Sequence, residues 1–236
     1  MSLFKNLFSL FSSSDENASA HSENINAEAN SQAAQKATRT TNKNSDGMIT
    51  EYVFDGEVKV GTPIKVEPLE WFFITKDGNV VDVLQEGVYI VNEASLPNFT
   101  NGICYTVKLL ESNRLNWGIN EPITFTDNNC GELSLRVCGA YRYKICDPVR
   151  VLTDYINADD NFSIPDYTKN LVVNAVEKEI QNCNGCSYSQ LPTADICKAV
   201  NNVLSDTGLK FTVQIQMIKP TEESIAAIEQ AMQNKF

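Results

Sequence analysis

The longest regular alternation of hydrophobic and polar residues in the chain runs from residue 133 to residue 145. Its apolar positions are Leu133, Leu135, Val137, Tyr141, Tyr143 and Ile145, and its polar positions include Ser134, Arg136, Arg142 and Lys144. A period of two over this length predicts a half-buried strand in an antiparallel sheet. Asp147 can then cap a short helix over residues 149–156, with Pro148 at a first position that needs no N–H donor.

The chain before this strand reads as a meander of short strands with little helix. The predicted strands cover residues 64–67, 71–75, 80–84, 88–91, 103–110 and 123–126, and residues 113–122 connect the last two. The sequence Lys76-Asp77-Gly78-Asn79 is typical of the turn in a β-hairpin.

The chain after the long strand changes to a helical period. Asp166 is predicted to cap a helix that runs to Asn182, and a second helix is predicted from Pro192 to Gly208. Residues 209–217 alternate as a strand, with Leu209, Phe211, Val213, Ile215 and Met217 on one face. A last helix is predicted over residues 222–236. Together these elements predict an α+β fold.

The first eleven residues form a separate pattern. At 100° per residue, one half of a helical wheel holds the apolar residues Leu3, Phe4, Leu7, Phe8, Leu10 and Phe11, while Lys5 lies on the polar half. So short a helix needs a surface to cover its apolar face, and we favour a membrane surface over the protein's own core or a partner. Lys5 would add a little attraction to anionic lipid. A signal peptide is a less favoured alternative, because the apolar stretch is short and interrupted.

These patterns divide the chain into four predicted segments. Residues 1–11 are the amphipathic membrane-binding helix, and residues 12–47 are a disordered linker, rich in Ser, Asn, Ala, Gln and Thr. Residues 48–218 are the folded domain, with a strand-rich half over 48–127 and an α/β half over 128–218. Residues 219–236 are the C-terminal helix.

Composition excludes several classes of function. The net charge of −11 argues against nucleic acid as a partner. The single histidine, His21, argues against histidine-based triads and zinc hydrolases, and seven irregularly spaced cysteines indicate mostly reduced thiols. No apolar run approaches the ~20 residues that would span a bilayer. We therefore expect no cofactor and no bound metal.

Three features could carry function, and each of them also has a purely structural interpretation. Cys183-Asn184-Gly185-Cys186 resembles a redox or metal motif, but it follows a predicted helix rather than opening one, so we favour incidental thiols in a loop. Arg136, Arg142 and Lys144 form a basic row, which we read as a solvated face with local salt bridges rather than an anion site. In the last helix, Ile225, Ile228 and Met232 form a narrow seam that could pack on their own domain or on another subunit.

The order and residues of these elements resemble the stomatin–prohibitin–flotillin (SPFH or band-7) superfamily. The resemblance is carried by residues 70–89, by residues 116–127 and by residues 135–148, and it covers about residues 64–236. The last two segments resemble a bacterial branch described as virion-core-protein-like. The resemblance implies an SPFH-like domain in a non-enzymatic scaffold.

Such a protein would lie on the cytoplasmic face of the cell membrane, associate with copies of itself and organise or recruit other membrane or stress-response proteins. Its membrane-binding residues would be those of the N-terminal helix, and its oligomerisation residues Ile225, Ile228 and Met232. Two alternatives are a soluble redox or metal-binding protein that uses Cys183 and Cys186, and a structural protein of a virion-like particle.

Overall fold

A computed structural model gives the structure of the chain and describes residues 36–38, 43–54, 58–99 and 102–233. These residues belong to one unit, 32–236. The predicted membrane-binding helix over residues 1–11 and most of the predicted linker lie outside the described residues.

The described residues form eleven strands and five helices. The strands are β1 Lys36–Thr38, β2 Ile49–Phe54, β3 Pro63–Val66, β4 Glu70–Lys76, β5 Asn79–Leu84, β6 Gly87–Ile90, β7 Ile103–Lys108, β8 Leu115–Gly118, β9 Ile123–Asp127, β10 Gly131–Ile145 and β11 Leu209–Pro220. The helices are α1 Leu96–Phe99, α2 Pro148–Asn157, α3 Ile164–Gln181, α4 Thr193–Val203 and α5 Glu222–Gln233. The mixture of antiparallel sheets and helices confirms the predicted α+β class.

A five-stranded antiparallel sheet contains most of the first half, in the order β1-β2-β7-β4-β5. Asp77 and Gly78 connect β4 to β5 with φ angles of 51° and 76°, so the predicted hairpin is confirmed. Phe72, Phe73 and Ile74 are all buried, because both faces of β4 are covered. Phe73 packs into the larger core, whereas Phe72 and Ile74 pack into a smaller one closed by the β3–β6 pair.

A second antiparallel sheet is built on β10, which pairs with β11 along one edge and with β9 and then β8 along the other. All six apolar positions predicted for its inner face are buried. Helices α3 and α4 pack against this inner face through residues such as Val172, Val176 and Val200. The other face of the sheet carries the polar half of the alternation.

A bulge changes the inward and outward order in β11. Ile215 pairs with Gly139 and Met217 pairs with Cys138, so β11 has one extra residue at this point. As a result Met217 is 41% exposed, and Ile218 packs against the core in its place. The predicted inward position of Met217 is therefore wrong, because the bulge shifts the alternation by one residue.

The helix boundaries follow local capping chemistry. Asp147 caps α2, because its side chain accepts the backbone N–H of Arg150, as the sequence predicts. Helix α3 begins two residues before the predicted cap: the hydroxyl of Ser163 accepts the N–H of Asp166 at 3.3 Å, so Ser163 rather than Asp166 is the cap. Pro165 is tolerated in this first turn because no intrahelical acceptor is available to its nitrogen.

Regular structure also extends beyond the predicted limits. Strand β1 and residues 43–47 lie within the stretch predicted as linker. There β1 pairs with β2, and Asn44 exchanges backbone hydrogen bonds with Phe162 and Ile164. Strand β8 occupies part of the predicted connection over residues 113–122.

Candidate functional site

The outer face of the sheet that contains β8, β10 and β11 carries the charged side chains of the long strand β10. On β10 the outward positions include Arg136, Arg142 and Lys144, and on β11 they include Lys210 and Lys219, all exposed. These five residues define the basic face. The chain as a whole carries 30 acidic and 19 basic residues, so its net charge is negative, whereas these five residues on the sheet face are all positively charged.

The strand register places like charges directly opposite each other on the basic face. Lys144 is the cross-strand partner of Lys210, and Arg136 is the partner of Lys219. Cross-strand neighbours have Cβ atoms about 4.5–5.5 Å apart, and like charges at that separation destabilise a sheet. The two pairs concentrate positive charge on this face, and Glu111, which forms a β-bridge with Lys144, supplies an acidic neighbour.

The middle of the basic face contains a shallow cavity of about 320 Å³. Arg114, Ala140, Arg142, Thr212, Gln214 and Glu111 contribute to its wall. Arg142 Nη1 lies 3.1 Å from Glu111 Oε2, with both side chains about half exposed. This pair agrees with the expected local salt bridge, and at such exposure it contributes about 0.2–1 kcal/mol.

The sequence pattern indicates three of the five residues of the basic face. The alternation of β10 indicates that Arg136, Arg142 and Lys144 share a face, but Lys210 and Lys219 lie more than sixty residues later. The alternation of β11 could have placed Lys210 on an outer face. The bulge hides the corresponding signal for Lys219, because it reverses the alternation before that residue.

The three residues of the predicted oligomerisation seam differ in how far they are buried. Ile228 is 8% exposed and belongs to the larger core, so it packs on its own domain. Ile225 is 38% exposed and Met232 is 60% exposed. Ile228 therefore follows the own-domain alternative, Ile225 and Met232 lie exposed on α5, and the contact of this seam with another subunit stays a prediction.

The two cysteines of the predicted motif share a turn directly after α3. Cys183 is partly buried against the core and Cys186 is exposed. Cys197 lies on α4 and is partly buried. Among the described residues, no group of three or more His, Cys, Asp or Glu side chains is arranged to hold a metal ion.

The predicted membrane-binding residues, Leu3, Phe4, Lys5, Leu7, Phe8, Leu10 and Phe11, lie outside the described residues. Within the described part of the chain, none of the helices combines the length and the apolarity that a membrane crossing requires.

The fold and its surfaces define an α+β domain with a long central strand, an exposed basic face and a partly exposed last helix. Residues 51–234 match the SPFH domain–Band 7 family, and the chain belongs to that family. Proteins of this family are in general membrane-associated scaffolds that assemble into oligomers and are not enzymes. No curated protein matches the chain.

Proposed function

We propose that this protein is a peripheral membrane scaffold on the cytoplasmic face of the cell membrane. The amphipathic segment over residues 1–11 inserts shallowly into the lipid surface, and the SPFH domain self-associates and recruits other membrane proteins. Membership of the SPFH–Band 7 family supports the general class. The observation that carries the proposal for this chain is the basic face, with its two like-charged cross-strand pairs.

Electrostatics explain why a basic face suits this role. Each Lys or Arg near an anionic bilayer contributes about 1 kcal/mol of attraction, and several of them on one sheet face can act together. A short amphipathic helix binds only reversibly by itself. Two weak contacts on one chain reinforce each other through effective concentration, and several copies in one assembly reinforce them further.

Flotation with lipid vesicles tests the two contacts separately. Wild-type protein is expected to float with vesicles rich in phosphatidylglycerol and much less with phosphatidylcholine vesicles. Phe4→Glu/Phe8→Glu should reduce flotation with both lipids, whereas Lys144→Glu/Lys210→Glu should reduce only the binding that depends on anionic lipid.

The matched control is Lys76→Glu/Lys198→Glu, which makes the same change of charge at exposed lysines on a hairpin and on α4. Its flotation should remain close to that of the wild type, apart from a small effect of net charge. Equal losses in the control and in Lys144→Glu/Lys210→Glu would show that net charge, and not the basic face, is responsible. Absence of wild-type flotation with either lipid would reject the membrane proposal.

Membership of the virion-core-protein-like branch also stays a prediction. Electron microscopy of the purified protein would reveal closed shells if the chain formed a particle, and their appearance would replace the scaffold proposal.

A further inference from the structure

Cys183 and Cys186 stand at the two ends of a single tight turn. The backbone N–H of Cys186 donates to the carbonyl of Cys183 at 3.1 Å, and Gly185 has a φ of +90° inside the turn. The Cα atoms at the ends of a β-turn are less than about 7 Å apart. Disulfides join residues whose Cα atoms are about 4.4–6.8 Å apart, so the backbone already brings the two cysteines within bridging range.

Neighbouring residues hold this turn without help from either sulfur. The N–H of Gly185 donates to the carbonyl of Thr126 at 2.7 Å, and the side-chain oxygen of Asn184 accepts the N–H of Thr126 at 2.9 Å. The N–H of Asn128 donates to the carbonyl of Cys186 at 3.2 Å. The turn is thus fastened to the end of β9 in the thiol state by hydrogen bonds that do not involve either sulfur.

The two thiols have different environments. Cys186 is exposed and can meet a dissolved reagent, whereas Cys183 is partly buried and its thiol donates to the carbonyl of Glu179 at 3.4 Å. Burial, then the thiol of Cys186 and the carboxylate of Glu179, raise the pKa of Cys183. The raised pKa lowers the thiolate fraction of Cys183, so the exposed Cys186 is the thiol that reacts first with a dissolved reagent, and the attack by Cys183 comes second.

We propose that Cys183 and Cys186 are a redox modification site that forms a reversible intramolecular disulfide. The oxidant is a low-molecular-weight disulfide. The Cys186 thiolate attacks one of its sulfurs, forms a mixed disulfide and releases the first small thiolate. The Cys183 thiolate then attacks the Cys186 sulfur, closes the protein disulfide and releases the second. Two protein thiols lose two electrons and two protons, and the small disulfide becomes two thiols. This inference does not depend on membrane binding.

The test is equilibration of the full-length protein in buffers of defined ratios of reduced to oxidised glutathione, followed by acid quenching, alkylation and peptide mass mapping. In the wild type, Cys183 and Cys186 should become protected together, with a loss of two hydrogen atoms and no retained glutathione. Cys183→Ser should leave a glutathione adduct on Cys186, at a level several-fold above the wild type, because the resolving thiol is gone. Cys186→Ser should leave Cys183 alkylatable.

Cys146→Ser is the matched control, because Cys146 is also exposed but lies at the end of β10. It should leave the Cys183–Cys186 couple unchanged. The proposal is overturned if the two cysteines are alkylated independently at every buffer ratio, if glutathione persists on Cys186 of the wild type, or if either cysteine pairs with another cysteine of the chain instead.

Discussion

Gly139 lies where β8, β10 and β11 pass one another, and no side chain fits at that position. A Cβ atom built on it would overlap the carbonyl oxygen of Gln214 and lie 2.8 Å from the Trp117 ring. The central strand therefore needs glycine here for the close approach of its neighbours, since φ at this residue is not in the left-handed region.

Gly139→Ala is expected to destabilise the protein by about 1–3 kcal/mol, the usual cost of forcing extra volume into a packed site. The melting temperature should fall by several degrees, at about 2–4 °C per kcal/mol for a chain of this size. Gly118→Ala is the control, because a Cβ there meets the Cys138 side chain at an ordinary 3.6 Å. An equal or larger loss for Gly118→Ala in differential scanning calorimetry would contradict the steric explanation.

Two tyrosines on the inner face of β10 differ in the hydrogen bonds that their hydroxyl groups make. The hydroxyl of Tyr141 lies 3.0 Å from Thr168 Oγ1 and 3.1 Å from the carbonyl of Pro165, and so ties β10 to α3. The hydroxyl of Tyr143 is buried without a hydrogen-bond partner among the described residues. Burial, with smaller contributions from Asp46 and Tyr141, raises the pKa of Tyr143.

The same substitution should therefore have different effects at the two positions. Tyr141→Phe is expected to cost about 0.5–1.5 kcal/mol through the lost hydrogen bond. Tyr143→Phe should leave the free energy of unfolding unchanged or increase it, because it removes a buried polar group that has no described partner. Urea denaturation of the two variants measures the difference, and a larger loss for Tyr143→Phe would show that its hydroxyl has a partner.

At the scale of elements, Asp127 connects the end of β9 to the loop that follows the cysteine turn. One carboxylate oxygen accepts the backbone N–H groups of Asn129 at 2.7 Å and Cys130 at 3.0 Å, and the other accepts the N–H of Tyr188 at 2.8 Å. Burial works to raise the pKa of this carboxyl, but these backbone donors outweigh it and hold the pKa below its ordinary value.

A carboxyl whose pKa is lower in the folded state contributes stability that is complete above its unfolded pKa of about 3.9 and is lost as the pH falls through its folded pKa. Asp127→Asn is therefore expected to cost about 1–3 kcal/mol at neutral pH, since an amide N–H₂ then faces a backbone donor. The free energy of unfolding of this variant should also fall less than that of the wild type as the pH is lowered into the acid range. Asp154→Asn, at an exposed position of α2, is the control in urea denaturation across pH. An unchanged acid profile for Asp127→Asn would contradict this role.

Helices and strands with a strong hydrophobic periodicity could be predicted from the sequence. Strands and bulges that depend on pairing with a distant strand could not. The alternation in β10 identifies its buried face, and the apolar stripe of α4 identifies Ile196 and Val200 as buried, although Val203 at its end is exposed. Strand β8 is only four residues long, and its pairing with β10 is a long-range contact that local pattern does not encode. The bulge that turns Met217 outward is likewise set by pairing, and so the outward position of Lys219 could not be predicted.

At the scale of the whole molecule, the domain combines an acidic composition with one concentrated basic face and a helix that is only partly packed. The burial of Ile228 fixes α5 on its own domain, while Ile225 and Met232 keep apolar surface exposed beside it. A scaffold of the SPFH–Band 7 type needs contacts between copies, and this exposed part of α5 is our candidate for one of them.

Ile225→Glu/Met232→Glu is expected to shift wild-type oligomers toward monomers in sedimentation velocity, because charged side chains cannot be buried in an apolar contact between copies. Its melting temperature should stay close to that of the wild-type monomer, since both positions are exposed within the domain. Ile228→Ala should instead lower stability by about 2–5 kcal/mol, as expected for truncation of a core side chain. Val203→Glu, at a 55% exposed position on α4, controls for the loss of any surface apolar residue. A wild-type protein that is monomeric at all concentrations, or a double variant that assembles as the wild type does, would exclude α5 as the contact between subunits.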